Sequence, residues 1–388
     1  MKLQSISEKG LLYFLLICLV ILLSGCWDRN EVNDLALITA AGFDKFADDK
    51  IELTVLVFIP KGGGSNTQTM ESSNGGASET LVRSAAGKTV ADAMAKLQEK
   101  LPRKIFWGHT DVFIFHEELA KQGIAKHIDF IMRHPTLRER GQIFVSSQKA
   151  KKVLKLMPPL ERDLSEVLKE LSQHKLGLNI TTKKLAQMLV GDSGDCALPW
   201  ITILPPESKK NPNRTIAYST GTAIFKRDKM IGIIDDSVTR GVLWLRNEIL
   251  LGVITIKPPK TDGYISVNVL QAQAKLIPKI QNGKWTITLK SVSASDIVQN
   301  ETNLDVSNPV VAKSLEPLLA REIEKRIKKA RNQVQEEMKA DIFGYAEAFH
   351  RKYPNIWNKE KYRWDEIFPD VELKFDTECH IRRQGLTS

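Results

Sequence analysis

The sequence predicts an α+β protein in three units, with mixed β-sheets packed with helices and a small, mainly helical middle domain. Three observations carry that expectation. Between residues 35 and 145, β-branched apolar runs and amphipathic helical repeats follow one another in the order β-β-β-α-β-α-β. From 149 to 190 the apolar spacing is helical throughout. Beyond 205–214 (PPESKKNPNR), a stretch of linker composition, strand patterns return and then give way to one long amphipathic run. The expected units are a signal peptide at 1–25, an N-terminal α+β domain at 26–148, the helical middle domain and linker at 149–210, and a C-terminal α+β domain with a long helix at 211–388.

Residues 35–42 (LALITAAG) and 51–59 (IELTVLVFI) read as a strand pair, with Gly42 ending the first strand and Asp44 and Lys45 following as turn residues. The segment 61–78 (KGGGSNTQTMESSNGGAS) has almost nothing to bury and reads as a surface loop. Its triple glycine lacks the Gly-Lys-Ser/Thr and the helix that a phosphate-binding loop requires. A strand is expected at 79–86 and a helix at 89–101, where Val90, Ala93, Met94, Leu97 and Leu101 recur at helical spacing and Pro102 stops the run. Residues 105–115 (IFWGHTDVFIF) form a strong strand pattern, interrupted at most by Gly108; 119–132 is helical, with Ile124, Ile128 and Ile131 on one side; 142–145 is a short strand.

In the middle domain, 149–156, 160–176 and 182–190 are helical, with Thr181 or Thr182 as an N-cap and Gly191 as a stop. The run 197–204 then closes at Pro205-Pro206. In the last domain, 217–225 and 229–234 flank a hairpin turn at Lys226-Arg227-Asp228, and 237–245 forms a short helix. Strands follow at 252–256, 264–280 and 284–298, with Asn282-Gly283 as a hairpin signal and Pro278 near a strand end. A continuous helix is expected from 314 to 353. Its stripe is Leu315, Leu319, Ile323, Ile327, Ala330, Val334, Met338 and Ile342, and Pro354 ends it. A stripe on one side favours packing on the sheet of its own domain over a coiled coil. Residues 371–375 and 379–382 give the last strand.

The N-terminus carries a second signal. Lys2 and Lys9 precede an uncharged apolar run at 11–23, and Leu23-Ser24-Gly25-Cys26 follows. The run has the length of a signal-peptide h-region and falls short of the roughly 20 residues that span a bilayer. A branched apolar residue, two small residues and a cysteine make a lipobox, whose thiol accepts a diacylglyceryl group before cleavage and whose freed amine accepts a further acyl chain. Cys26 is therefore the expected lipidation site. An uncleaved signal anchor is the other reading, and both place the remainder outside the cytoplasm. Stable anchoring takes two chains, which a diacylglyceryl cysteine supplies at one residue.

Composition bounds the function. Hydrophobic content of 42% and charged content of 26% are those of an ordinary globular protein. The net charge of +10 would fit nucleic acid, but export argues against that partner; an anionic membrane surface, an acidic protein face or solvated charge remain. Beyond Cys18 and Cys26, only Cys196 and Cys379 remain, which is no disulfide framework; two free thiols are expected.

No catalytic constellation emerges. His109 and His116 lie an odd number of residues apart on one strand pattern, and His127 and His134 are separated by two helical turns with Pro135 after the second. His-Glu-x-x-His, Cys-x-x-Cys and Gly-x-Ser-x-Gly are all absent. The pairs Asp48-Asp49 and Asp235-Asp236 flank strands, where acidic turns are ordinary. The expectation is a protein that is not an enzyme and holds no metal or cofactor. The aromatics Phe343, Tyr345, Phe349, Tyr353, Trp357, Trp364 and Phe368 offer either a docking surface or a packed domain corner, and the corner is favoured because large aromatics dominate cores.

Cys26-Trp27-Asp28-Arg29 with Glu31, Asn33-Asp34-Leu35-Ala36 and Gly42-Phe43-Asp44-Lys45 resembles the mature N-terminus of the Ger(x)C spore-germination lipoproteins, the C subunits of nutrient germinant receptors. Asp341-Ile342-Phe343-Gly344-Tyr345, with Tyr353-Pro354, Trp357 and Trp364, is similar to the family's C-terminal signature. Val32 stands where Ile is common. The resemblance implies a three-domain α+β protein on the outer face of the spore inner membrane, partnered by two integral membrane subunits, an A-type subunit and a transporter-like B-type subunit, and not enzymatic. Cys26 is the one functional position it carries over. The alternative is an extracytoplasmic solute-binding lipoprotein that delivers a nutrient to a transporter-like partner, which needs a cleft between two lobes.

Overall fold

The computed structural model describes residues 34–59, 80–174, 177–250 and 252–383, with a few isolated positions before 34. Cys26, the Trp27-Asp28-Arg29 that follows it and the loop at 61–78 lie outside the described residues.

The fold is α+β, as the alternating patterns required. Nine strands make the larger sheet: β1 (Leu35–Ala47), β2 (Lys50–Phe58), β3 (Thr80–Gly87), β4 (Lys104–Phe106), β5 (Val112–His116), β6 (Gln142–Ser146), β7 (Cys196–Ile203), β8 (Ala217–Lys226) and β9 (Lys229–Asp235). Their order is β3-β2-β1-β5-β6-β7-β8-β9, with β4 beside the start of β1. The centre, β1-β5-β6-β7, is parallel, and both flanks are antiparallel hairpins. Every residue of β5 is buried, as a parallel strand covered on both faces must be.

The strand expected at 105–115 is two strands. Trp107–His109 forms a single 3₁₀ turn between β4 and β5, so one edge of β1 is shared between them. The helix expected at 119–132 is likewise broken, into Glu117–Gln122 and Ala125–Arg133, at Gly123 with φ +121°. Gly42 does not end a strand and Asp44 is not a turn residue: β1 runs on to Ala47. A Cβ on Gly42 would lie 2.5 Å from the Ala150 Cβ, and the buried Asp44 accepts the amides of Ala150 and Lys151 at 2.7 and 3.1 Å. The Gly-Phe-Asp pattern thus lets the helix Ala150–Val153 approach the sheet and caps its N-terminus.

That contact also ties the expected middle unit to the large sheet. The helical stretch from 149 covers the second face of the large sheet, where Val153, Leu164 and Leu168 share one core with Ala40, Val112, Ile114 and Phe144. Strand β7 lies inside that stretch, and β8 and β9, expected in the last domain, hydrogen-bond onto β7. The hydrogen-bonded ladder runs through the 210/211 boundary. An amphipathic helix of this length buries its stripe only against a partner layer, and here the layer is the first sheet.

The second sheet has the order β10-β11-β12-β13, from β10 (Gly252–Ile256), β11 (Ile265–Gln281), β12 (Lys284–Asn300) and β13 (Glu372–Arg383). Asn282 and Gly283 both take positive φ, 51° and 75°, which gives the β11–β12 hairpin the primed turn that Asn-Gly signals. Strand β13 runs parallel to β12, so a crossover must join them, and the helix Pro309–Arg331 begins it. Leu315, Leu319, Ile323 and Ile327 of its stripe are buried, and the helix packs on the second sheet and on the helix Asp236–Leu245.

Candidate functional site

The predicted helix at 314–353 does not run its length. After Arg331 it passes through a π turn, Asn332–Glu337, and stops; Lys339 takes φ +55° and Gly344 φ +86° before a new helix, Tyr345–Lys352, begins. The cause is Asp341, 2% exposed. Its Oδ1 accepts the amides of Phe343, Gly344 and Tyr345 at 3.3, 3.2 and 3.2 Å. Its Oδ2 accepts Ala346 N–H at 2.8 Å and the Trp364 indole N–H at 3.2 Å. One carboxylate thus satisfies the donors that the new helix exposes at its start.

Asp341 is tied in turn to the large sheet. Asp195, just before β7, accepts the Asp341 amide at 2.8 Å and the Lys226 ammonium at 3.0 Å on Oδ2, and the Arg227 amide at 2.9 Å on Oδ1. Lys226 also reaches Asp365 at 2.6 Å and the Lys339 carbonyl at 2.9 Å. Arg246, from the end of its helix, donates to the Ile342 carbonyl at 2.7 Å and pairs with Glu248, which Lys184 also meets at 2.6 Å. Residues from β8, the middle helices and the C-terminal crossover meet in one polar joint.

The electrostatics of the joint follow from its burial. Desolvation, with Glu347 and Asp195 nearby, pushes Asp341 up to about 7 against the lowering effect of the Ala346 and Tyr345 N–H groups. Burial also raises Glu347. For Glu248 burial acts upward but Arg246 and Lys184 outweigh it, so it is held below the usual carboxylate range.

Beside this joint lies a cleft of about 850 Å³. Leu245, Ile342 and Phe343 give it an apolar part, and Lys275, Glu347 and Arg351 line it with charge. Glu347 Oε2 is buried without a hydrogen-bond partner. No group of metal-ligating side chains occurs among the described residues.

The aromatic run is a packed corner. Phe343, Tyr345, Phe349, Trp357, Trp364 and Phe368 are buried, and Tyr353 is half-buried. Trp357 meets Trp364 edge-on at 5.1 Å, Tyr345 meets Phe368 at 5.8 Å, and Trp285 of β12 meets Phe349 at 4.6 Å. Gln335, from the π turn, closes the corner by donating to the Phe368 and Val371 carbonyls at 2.9 and 2.8 Å.

The other singled-out residues disperse. His116 and His127 are buried in the large sheet's core region, His109 is exposed, and His134 follows a helix end. Asp235 caps the helix Asp236–Leu245 through Val238 N–H at 2.8 Å, and Asp48 pairs with Lys45 at 2.9 Å. Cys196 and Cys379 are buried and free. Sequence reasoning listed Asp341 without a role and passed over Asp195. The signal for Asp195 was local: Ser193 and Asp195 flank Gly194, whose φ is +68°, in the turn that leads into β7.

The comparisons with known proteins cover both sheets. Residues 28–203 match the family model "Spore germination protein N-terminal domain", and residues 220–385 match "Spore germination B3/ GerAC like, C-terminal". Spore germination protein KC of Bacillus subtilis (strain 168) is 29% identical over 400 residues, covering 98% of this chain and 97% of the relative. Spore germination protein B3 of the same strain is 25% identical over 393 residues, covering 98% and 99%. Spore germination protein GerQC of Bacillus cereus is 24% identical over 381 residues, covering 97% and 99%. The crystal structure of the GerBC protein superposes with a TM-score of 0.57 at 18% identity over 90% of this chain and 99% of that one, a likeness of fold.

Proposed function

Because the chain belongs to the Ger(x)C family of spore germination proteins, with both of the family's regions present in order, we propose that it is a lipid-anchored subunit of a spore nutrient germinant receptor, required for germination in response to nutrients. It acts by assembly or signal relay, not by catalysis. Its partners are the integral membrane A-type and B-type receptor subunits, and it sits on the extracytoplasmic face of the spore inner membrane, held by S-diacylglyceryl and N-acyl groups on Cys26. The observation that carries the reading is the lipobox Leu23-Ser24-Gly25-Cys26 in a chain that aligns over 97% of a spore germination relative. No helix among the described residues is long and apolar enough to cross a membrane.

Deletion of the gene in its own spore-former tests the reading. Nutrient-triggered germination falls in the deletion strain, and so does the membrane level of the partner subunits. Normal germination in a strain cleared of paralogues would overturn it.

The cleft beside Glu347 and Arg351 favours a second reading, a solute-binding lipoprotein that delivers a nutrient to a transporter-like partner. Calorimetry of the purified protein against amino acids and sugars separates the two, since saturable binding belongs to the second reading alone.

A further inference from the structure

Resting on the lipid-anchor reading, we propose that the sheet edge around Arg103 and Lys104 lies against anionic phospholipid headgroups of the membrane that holds the anchor. Lys104 opens β4 in register beside Leu35, the first residue of β1. The chain arriving from Cys26 therefore enters the fold next to Arg103 and Lys104. Nine peptide units separate Cys26 from Leu35, and at 3.3–3.6 Å each they reach about 30 Å at most. The opposite end of β1 lies a further ~40 Å along the strand, and its turn carries Asp48 and Asp49.

The charge at the anchored end suits an anionic surface. Arg103 and Lys104 are exposed, and neither side chain has a hydrogen-bond or ion-pair partner among the described residues. Lys100 donates to the Ser84 carbonyl, which leaves its charge unneutralised. Arg140, at the entrance to β6 two strands along, is exposed and likewise unpaired. Against these cations stand the exposed Asp34 and Glu99, while Asp111 is already engaged by Arg138 and Lys169, and Glu139 by Lys183. Attraction of such cations to an anionic leaflet fades within a Debye length, about 8 Å at physiological salt, so it acts only in close approach. The anchor supplies that approach: a short tether holds the edge at an effective concentration in the millimolar range, where a few unpaired cations orient the domain.

The test uses the full lipidated protein reconstituted into vesicles of phosphatidylcholine, or of phosphatidylcholine with about one-third phosphatidylglycerol. A fluorophore goes on Pro102→Cys, the remaining thiols Cys196 and Cys379 being buried. Flotation reports the anchor, and a headgroup-linked quencher reports the edge. The protein floats on both vesicles. Quenching at 102 exceeds the neutral-vesicle level only with phosphatidylglycerol and falls in ~0.5 M salt. The exposed reversal pair Arg103→Glu with Lys104→Glu lowers that excess about tenfold without shifting the melting temperature. Flotation on both vesicles with equal quenching, or quenching indifferent to the reversals, overturns the assignment and leaves the anchor standing. Failure to float on neutral vesicles overturns the anchor. The basic edge then stands only if the reversals abolish flotation on phosphatidylglycerol vesicles, and falls if they do not.

Discussion

Asp195 accepts the backbone N–H of Asp341 at 2.8 Å, across 146 positions of sequence. Through that bond the turn before β7 holds the break after the long helix. The large sheet and the aromatic corner are therefore coupled through two buried carboxylates in series: Asp195 holds the backbone of Asp341, and Asp341 holds the amides of residues 343–346 and the Trp364 indole.

Asp341→Ala orphans the amides of residues 343–346 and the Trp364 indole N–H, donors that meet a carboxylate only 2% exposed. A loss of about 3 kcal/mol or more is expected in urea unfolding. A loss under about 0.5 kcal/mol, the scale of an ordinary surface substitution, would show that the carboxylate is not what ends the long helix.

Asp341 also gives the joint a pH dependence. Its folded pKa is raised to about 7, so the folded state binds the proton more tightly than the unfolded one. Its contribution is complete below the ordinary Asp value near 4 and is lost as pH rises through 7. Asp341→Asn lowers stability overall, because its NH₂ faces N–H donors, but it flattens the decline between pH 4 and 7. Equal slopes for the two proteins in that window would count against this assignment.

His127 acts in the opposite direction. Burial, with Lys126 adding to it, pushes the imidazole down to about 4, beside the stacked Phe43 and Phe115 rings and 6.2 Å from each. The folded state keeps His127 neutral, so stability is lost as pH falls from 6.5 toward 4. His127→Phe removes on the order of 2 kcal/mol of that acid-side loss, read from unfolding midpoints at pH 5 and 7.

Two glycines separate steric from conformational cost. A Cβ on Gly241 would lie 2.4 Å from the Arg326 carbonyl and 2.7 Å from the Ala330 Cβ, where two helices cross. At Gly344 the nearest atom would be 3.7 Å away, but φ is +86°. Gly344→Ala costs about 1 kcal/mol, from backbone strain alone; Gly241→Ala costs about 2–3 kcal/mol because the helices must part. A thermal-melt ranking in the reverse order would contradict the crossing geometry.

Cys26→Ala tests the anchor in cells. The protein loses lipid label and leaves the membrane fraction or remains as an uncleaved precursor. Unchanged labelling and retention of a processed protein would remove the anchor from the functional reading.

Much of the fold was legible because its causes are local. Asn282-Gly283 specified a primed turn, Thr181 capped its helix, and the stripe from Leu315 to Ile327 marked the buried face. The candidate site was not legible to the same degree. Met338 and Ile342 continue the stripe at helical spacing, so periodicity carried the helix through Asp341, and nothing in a period-3.6 pattern reveals that a carboxylate will be buried against five donors.

By itself the sequence determined the α+β class, most of the strands and helices, the absence of common catalytic motifs and the lipobox ending at Cys26, since each depends on residues within a few positions of one another. Only the tertiary structure decided that the middle helices pack on, and β8–β9 extend, one nine-stranded sheet, that Asp44 caps a helix rather than a turn, and that Asp195 meets Asp341. Those outcomes depend on which distant layer covers an apolar face and which distant donor satisfies a buried carboxylate. Such pairings are chosen by burial and hydrogen-bond completion across the whole chain, and no local pattern encodes them.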